Sequence, residues 1–359
     1  MSDKIYKVKY LPLVLLACAI IIGLYSCIDE IGLNVDTEQR SVVVNGFVTD
    51  SLGDYRVQLS ESSVIGIGND NILTPINNAT VQIMDTDGGS RSYTASVDEE
   101  GVYILSDFEA VEGKAYFIDI ILADGRHYRS QPQTLRGNST IESVAFDVEE
   151  STFRNNAGEL VTENRITAKI SSDITGTDVP PYLRWRVEGE YQIQEAYPMA
   201  LNPKKCYVKV NLDINDIRIL DATEVNGDVL FEQEIAETEY DFRFGEQFCF
   251  HIYQFSISQE EYEYWRTVRE LIDIDGSLFD PPPGTVIGNL YNVDDRNDVP
   301  VGYFSVASVF LQRAFINTNE LEVSVRDKCS GFRFNVPFGC MNCLDITNST
   351  TVRPSYWEI

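Results

Sequence analysis

Cysteine and histidine are the scarce residues through which this chain could do chemistry; there are seven of the first and two of the second. His127 and His251 cannot build a three-histidine metal site, and a histidine-based triad would have to use one of them. No G-x-S-x-G elbow, H-E-x-x-H pair or P-loop occurs. Cys340-x-x-Cys343 has the spacing of a redox dithiol or of half a zinc site. A redox pair sits at a helix N-terminus inside a βαβ unit, whereas this one lies in the polar tail of a β-patterned chain. Zinc needs a second pair of ligands, and only Cys329 is close in sequence. A structural cystine is the reading that fits. Asp85-x-Asp87-Gly88 could open a calcium loop, but it lacks a bidentate acid at the required offset, and hairpin turns favour the same residues. Acid content does not diagnose a glycosidase, because 56 acidic residues always allow carboxylate pairs on paper. No catalytic residue, metal or cofactor is expected; the chain reads as a non-enzyme.

The charge narrows the partners. Lys and Arg number 28 against 56 Asp and Glu, for a formal charge of −28. Nucleic-acid binding draws on basic side chains that displace counterions from phosphates, so this balance argues against nucleic acid. An anionic lipid surface is disfavoured for the same reason.

Residues 1–26 read as a signal peptide. Lys4, Lys7 and Lys9 precede an apolar run from Leu11 to Gly23. At about 13 residues, that run is shorter than the roughly 20 a bilayer helix needs. It ends in Leu24-Tyr25-Ser26-Cys27, which resembles a bacterial lipobox: an aliphatic residue, a small residue, then the cysteine that takes the lipid. Tyr25 departs from the small residue commoner at its position. Acyl chains on Cys27 would anchor the mature N-terminus. Asp29 and Glu30 follow at once and resemble the export signal that carries Bacteroidota lipoproteins to the outer face of the outer membrane. Residues 27–40 are then a lipidated acidic tether, and the expected location is the outer membrane, lipid-anchored and facing the cell exterior.

Export implies an oxidising compartment, where disulfides form. Beyond Cys18 in the leader and Cys27, five cysteines remain: Cys206, Cys249, Cys329, Cys340 and Cys343. At most two bonds can form and one thiol is left over, with about 15 arrangements open. The preferred set joins Cys206 to Cys249, both on β-patterned segments, and Cys329 to either Cys340 or Cys343.

The elements that would hold these residues are β-strands. From Ser41 to about Leu135, short alternating runs such as Tyr55–Leu59 recur between turn signals. About seven strands in some 95 residues is the spacing of a β-sandwich. Gly137–Thr140 looks like a seam, which gives an N-terminal sandwich over 41–137 and a second β-rich domain over 138–359. In Tyr182–Ile193, Leu183, Trp185 and Val187 share one face and Arg184, Arg186 and Glu188 the other, which predicts a strand with one packed and one wet face. One helix is predicted over 258–274. Ser258 and Glu261 form a capping box, Ile257 and Tyr262 are placed as a hydrophobic staple, and Tyr262, Trp265, Val268 or Arg269, and Ile272 mark the packed face.

Gly46-Phe47-Val48, Pro75 to Ile83, and Glu100-Gly101-Val102-Tyr103 are similar to the carboxypeptidase-regulatory, transthyretin-like sandwiches. That resemblance implies a spacer or docking module without chemistry of its own. The fold class is therefore mainly β: a transthyretin-like sandwich followed by a larger sandwich-type domain carrying one packed helix.

A second resemblance covers nearly the whole mature chain. It rests on Ile257-Ser258-x2-Glu261-Tyr262-x2-Trp265, Gly276 to Pro283, Gly288-Asn289-Leu290-Tyr291-Asn292-Val293, Gly302-Tyr303-Phe304, Cys340-x2-Cys343 and Arg353-Pro354-Ser355-Tyr356-Trp357. Together these look like an uncharacterised family of Bacteroidota outer-membrane lipoproteins encoded beside TonB-dependent (SusC-like) receptors. The resemblance implies a non-enzymatic accessory or docking subunit of a receptor complex, with a receptor β-barrel and companion lipoproteins as partners. Pro281-Pro282-Pro283 is a stiff extended segment, and with Phe279 it is the best candidate for a partner contact. Gly288 and Gly302 suit turns or bulges. The alternative is a surface lipoprotein that binds glycans or peptides through an exposed aromatic. Of the three tryptophans, Trp185 and Trp265 are expected to pack inward and Trp357 lies in the tail.

Overall fold

A computed structural model describes residues 40–62, 73–154, 157–174, 182–196, 202–212, 216–225, 227–272, 286–316, 321, 323, 325–330 and 336–357. Cys27, Asp29 and Glu30, and the candidate contact Phe279, Pro281, Pro282 and Pro283, lie outside the described residues.

Alternating apolar residues build three sheets, of eleven, six and three strands. The large sheet is organised by its longest strand, Val301–Ile316. Its second half pairs antiparallel with Phe248–Ile257, and its first half pairs parallel with Val42–Thr49. Even-numbered residues along this strand face inward. Phe304 and Val306 join a first core with Val44, Leu59, Ile118 and Tyr128. Ile316, with Phe310 and Ala314, joins a second core with Trp185, Phe248, Phe250 and Ile166. The six-stranded sheet, centred on Thr80–Asp85 and Ala115–Ile121, covers the first core. The three-stranded sheet of Thr140–Arg154, Leu160–Asp173 and Val229–Glu239 covers the second. The expected seam at 137–140 is where the chain passes from one covering sheet towards the other, while the large sheet runs behind both. Short Leu290–Asn292 also returns to the first half, pairing with His127–Ser130. Contacts make one unit of Arg40–Ser63 and Ile72–Ile359.

The motif residues of the first half meet at one loop. Asn77 accepts the Gly101 amide at 2.5 Å, and the Tyr103 hydroxyl donates to Ile76 O and accepts the Ala79 amide, both at 2.8 Å. Asp85 accepts the Asp87 and Gly89 amides in the expected hairpin turn. Lys114 sits between Asp85 and Asp87, at 3.4 and 3.7 Å, and pairs with both carboxylates.

Two disulfides close the second half, Cys206–Cys343 and Cys329–Cys340. The preferred Cys206–Cys249 pair does not form. Phe248–Ile257 is separated from Lys205–Asn211 by the strand Tyr182–Gln194, and Cys206 enters the inner core whereas Cys249 packs with Trp357 on the outer face. Cys249 is the buried cysteine outside both bonds. Cys340 and Cys343 belong to different bonds, so the C-x-x-C is two separate staples. In a chain-entropy model the long-range bond stabilises by about 4–5 kcal/mol and the short one by about 3.

The outer face of the large sheet departs most from expectation, because much of it is roofed rather than wet. The helix Gln259–Ile272 lies over Arg184, and the C-terminal residues lie over Glu190 and Cys249. Ser258 caps the helix by accepting the Glu261 amide at 3.2 Å. Glu261 does not return the bond. Its carboxylate turns inward to accept Trp265 Nε1 at 3.1 Å and Ser305 Oγ at 2.6 Å, with Arg184 at 3.9 Å, and it is fully buried. Donors beneath the helix outcompete the capping amide. At the other roof the Tyr356 hydroxyl donates to Glu190, His251 Nε2 stands 3.3 Å from that carboxylate, and Trp357 packs on Tyr207 and Phe315.

These two glutamates are perturbed in opposite directions. Burial dominates at Glu261 and raises its pKa against the pull of Arg184, Ser305 and Trp265. At Glu190 burial also raises, but His251, Tyr356 and the Lys209 charge outweigh it and hold the carboxyl below the ordinary range. The native state therefore binds the Glu261 proton more tightly than the unfolded chain does, so that group favours folding at acid pH and loses its advantage as pH rises through the native value. Glu190 contributes above the unfolded value, and the contribution is lost as pH falls through its native one. Glu261→Gln should gain in melting temperature relative to wild type as pH goes from about 4 to about 8; a flat or falling difference contradicts this. Glu190→Gln should show the reverse, with its largest deficit near neutrality and a closing gap below about pH 4.

Two glycines of the second resemblance are fixed by backbone contact. A Cβ on Gly302, whose φ is +106°, would lie 1.9 Å from Val44 O, and one on Gly288 would lie 1.7 Å from Gly302 O. Gly88, at φ +94°, has open space instead. Chemical denaturation should show Gly302→Ala costing about 2–4 kcal/mol and Gly88→Ala about 1. Equal costs would mean that the close backbone approach carries no weight.

Candidate functional site

A cleft of 920 Å³ opens along one flank of the helix. Helical spacing aligns Glu260, Glu263, Tyr264 and Thr267 as one wall. The opposite wall is the segment 131–136, bringing Gln131, Gln133, Thr134 and Arg136. Tyr303 lies between the walls, 4.9 Å from the Tyr264 ring, and Ile287, Gly288 and Asn289 complete the lining. A second groove of 370 Å³ shares Thr134, Arg136, Gln259 and Glu260 and extends to Tyr182.

Several lining groups are already committed to holding the walls. Gln133 donates to the Tyr303 hydroxyl and accepts the Val306 amide at 3.0 Å. Asn289 is buried and bonds the Phe304 backbone twice, giving to its carbonyl at 2.8 Å and receiving its amide at 3.0 Å, as a strand neighbour would. Burial raises the Tyr303 pKa, with the nearby Glu261 carboxylate adding to it, so the phenol keeps its proton and can donate. Burial raises Tyr264 likewise. The remaining amide, hydroxyl, guanidinium and carboxylate groups can hydrogen-bond a polar ligand or a peptide backbone. None of the lining residues is a cysteine or histidine, and among the described residues no group of three or more His, Cys, Asp or Glu could hold a metal ion.

Sequence reasoning reached parts of this arrangement. Ser258, Glu261, Tyr262 and Trp265 sit on the helix as expected, and Gly288, Asn289 and Gly302 are structural. Trp185 is inside and bonds Gln254 at 2.8 Å; Trp357 is also buried. The 131–136 wall was not singled out, because its only signal is a short polar run between strands. Tyr264 was missed because it stands one position from the packed stripe. Cys206, Cys329, Cys340 and Cys343 form staples, and none of the described cysteines lines the cleft.

No curated protein matches this chain. Among solved structures, a two fibronectin type-III domain segment from chicken tenascin aligns at 13% identity, covering 61% of this chain and 91% of that one, with a TM-score of 0.16. The family model "Domain of unknown function (DUF4249)" matches residues 28–313, and because that span takes in most of the chain, the chain belongs to the DUF4249 family.

Proposed function

We propose that the protein is a surface-exposed outer-membrane lipoprotein, anchored through Cys27, that serves as a non-enzymatic docking subunit of a TonB-dependent, SusC-like receptor complex. The observation that carries this reading is the apolar leader ending in Leu24-Tyr25-Ser26-Cys27, followed by Asp29 and Glu30. The fold adds a scaffold suited to docking. Residues of the helix and its cap from Ser258 to Thr267 and the Ile287–Asn289 segment line one cleft, which offers a partner a polar surface on a rigid element. The acidic chain suits protein partners rather than nucleic acid.

A second reading, a surface lipoprotein that binds glycans or peptides, draws on the polar cleft itself, whose 920 Å³ falls within the range of small-ligand sites. It predicts retardation in glycan affinity gels that is lost on Tyr264→Ala.

The docking reading is tested in mildly solubilised membranes of the native bacterium. The full chain should co-purify with an outer-membrane barrel of the TonB-dependent class, and Cys27→Ser should move the protein out of the membrane fraction. Recovery of wild type as a lone monomer, or membrane retention of Cys27→Ser, would overturn it.

A further inference from the structure

On the sheet's outer face, beneath and beside the helix, stand two arginines of one strand, Arg184 and Arg186. Arg184 Cζ lies 4.0 Å from the Trp265 ring centroid and 5.8 Å from that of Phe255. Arg186 Cζ lies 4.7 Å from Tyr253, 5.7 Å from Phe47 and 5.9 Å from Phe255. Cation–π contacts satisfy the faces of a guanidinium but not its N–H groups, which point outward in its plane and need acceptors there.

Those acceptors are poorly supplied. The Glu261 oxygen nearest Arg184 is 3.9 Å away, beyond hydrogen-bond reach, and is shared with Trp265. Arg186 Nε is buried and has no hydrogen-bond acceptor among the described residues, although a Glu188 oxygen stands 3.3 Å from it. An arginine keeps its charge even when partly covered, and with side-chain exposures of 25% for Arg184 and 41% for Arg186 the pair remains open to an anion from solvent. Cavities of 190 and 490 Å³ both have Arg184, Arg186 and Trp265 in their walls, and the first also takes in Asn45 and Tyr303.

We infer that the Arg184–Arg186 pair binds the carboxylate of a small organic anion, with the body of that molecule against Trp265. A guanidinium fork matches a carboxylate in plane, two parallel bonds at a time. Glu188 and Glu261 stand beside the pair and offset part of its charge, which suits a single negative charge better than the two of a phosphate. The inference is independent of where the protein is anchored and of the docking role.

Titration of the full chain with sodium glucuronate, followed by tryptophan fluorescence at constant ionic strength, tests it. Glucose serves as the neutral counterpart and inorganic phosphate as the dianionic one. A saturable change with glucuronate, absent with glucose and weakened at least about tenfold in both Arg184→Gln and Arg186→Gln, is the expected result. No saturable response up to roughly 100 mM, an equal response to glucose, or binding undiminished in a folded arginine variant would overturn the site. Saturation by phosphate alone would overturn its assignment to carboxylates. If one variant fails to fold, the other decides, and the three ligands on wild type already separate carboxylate binding from its alternatives.

Discussion

The parallel pairing of Val42–Thr49 with the first half of Val301–Ile316 is the constraint on which the other features depend. It joins segments about 258 residues apart (Val43 to Val301), so its loop-closure cost precedes any gain from the contact. What repays that cost is burial on both sides of the junction: Val44 and Val48 with Phe304 and Val306 in one core, and Ile316 with Phe248 and Phe250 in the other. Register is tightly set, because a shift by one residue would turn Phe304 and Val306 outward and bring Tyr303 and Ser305 into the core. The backbone contact of Gly302 with Val44 and Gly288 fits this register, since no larger residue could occupy the crossing.

A sheet face that serves two cores must change partners somewhere, and it does so along a polar row. Gln254, Ser256 and Ser308 lie on the inner face between the apolar regions, and all three are buried. Gln254 receives bonds from Trp185 and Ser172 at 2.8 and 2.7 Å and donates to Ser139 O and Oγ. The Ser256 hydroxyl accepts the Ser139 amide at 3.2 Å, and Ser308 donates to Arg136 O. The backbone at 136–139 crosses the sheet without strand partners of its own, and buried polar groups in that position must be matched by side chains. The row therefore ties the crossing chain to both halves at once, and leaving any member unmatched would cost more than its bond contributes.

How much of this could be read from the sequence follows from the range of each interaction. Alternation in Tyr182–Gln194 and the Ser258 cap are local, and both were legible. Gly101 and Tyr103 could be picked out as motif residues, although their meeting at the 75–79 loop could not. Cysteine parity showed that one thiol would be left over, and only topology decided which: Cys249 faces the roof and Cys206 the core. The polar face of Tyr182–Gln194 was read as wet because arginine and glutamate normally are. Nothing in that strand announces a helix and a tail arriving from elsewhere in the chain to cover it. Of the candidate site, the helix was legible but neither its cleft-lining face nor the 131–136 wall was, since a cleft between non-adjacent segments has no periodicity of its own.

The two roofs differ in how they treat the charges they cover. Under the tail, Glu190 meets the Tyr356 hydroxyl and His251 at close range, and its charge is stabilised there. Under the helix, Glu261 takes its hydrogen bonds from neutral donors, Trp265 and Ser305, while the cation beside it stays out of hydrogen-bond reach. The carboxylate is matched as a hydrogen-bond acceptor by neutral groups, and Arg184 stacks on Trp265 with that carboxylate 3.9 Å away as an ion pair without a direct hydrogen bond. A direct Arg184–Glu261 bond would have closed that account within the fold. Its absence leaves positive charge only partly offset on one flank of the helix, in a chain whose net charge is −28. The cleft on the other flank has two carboxylates and one guanidinium in its walls, so a single helix separates two recesses of different electrostatic character.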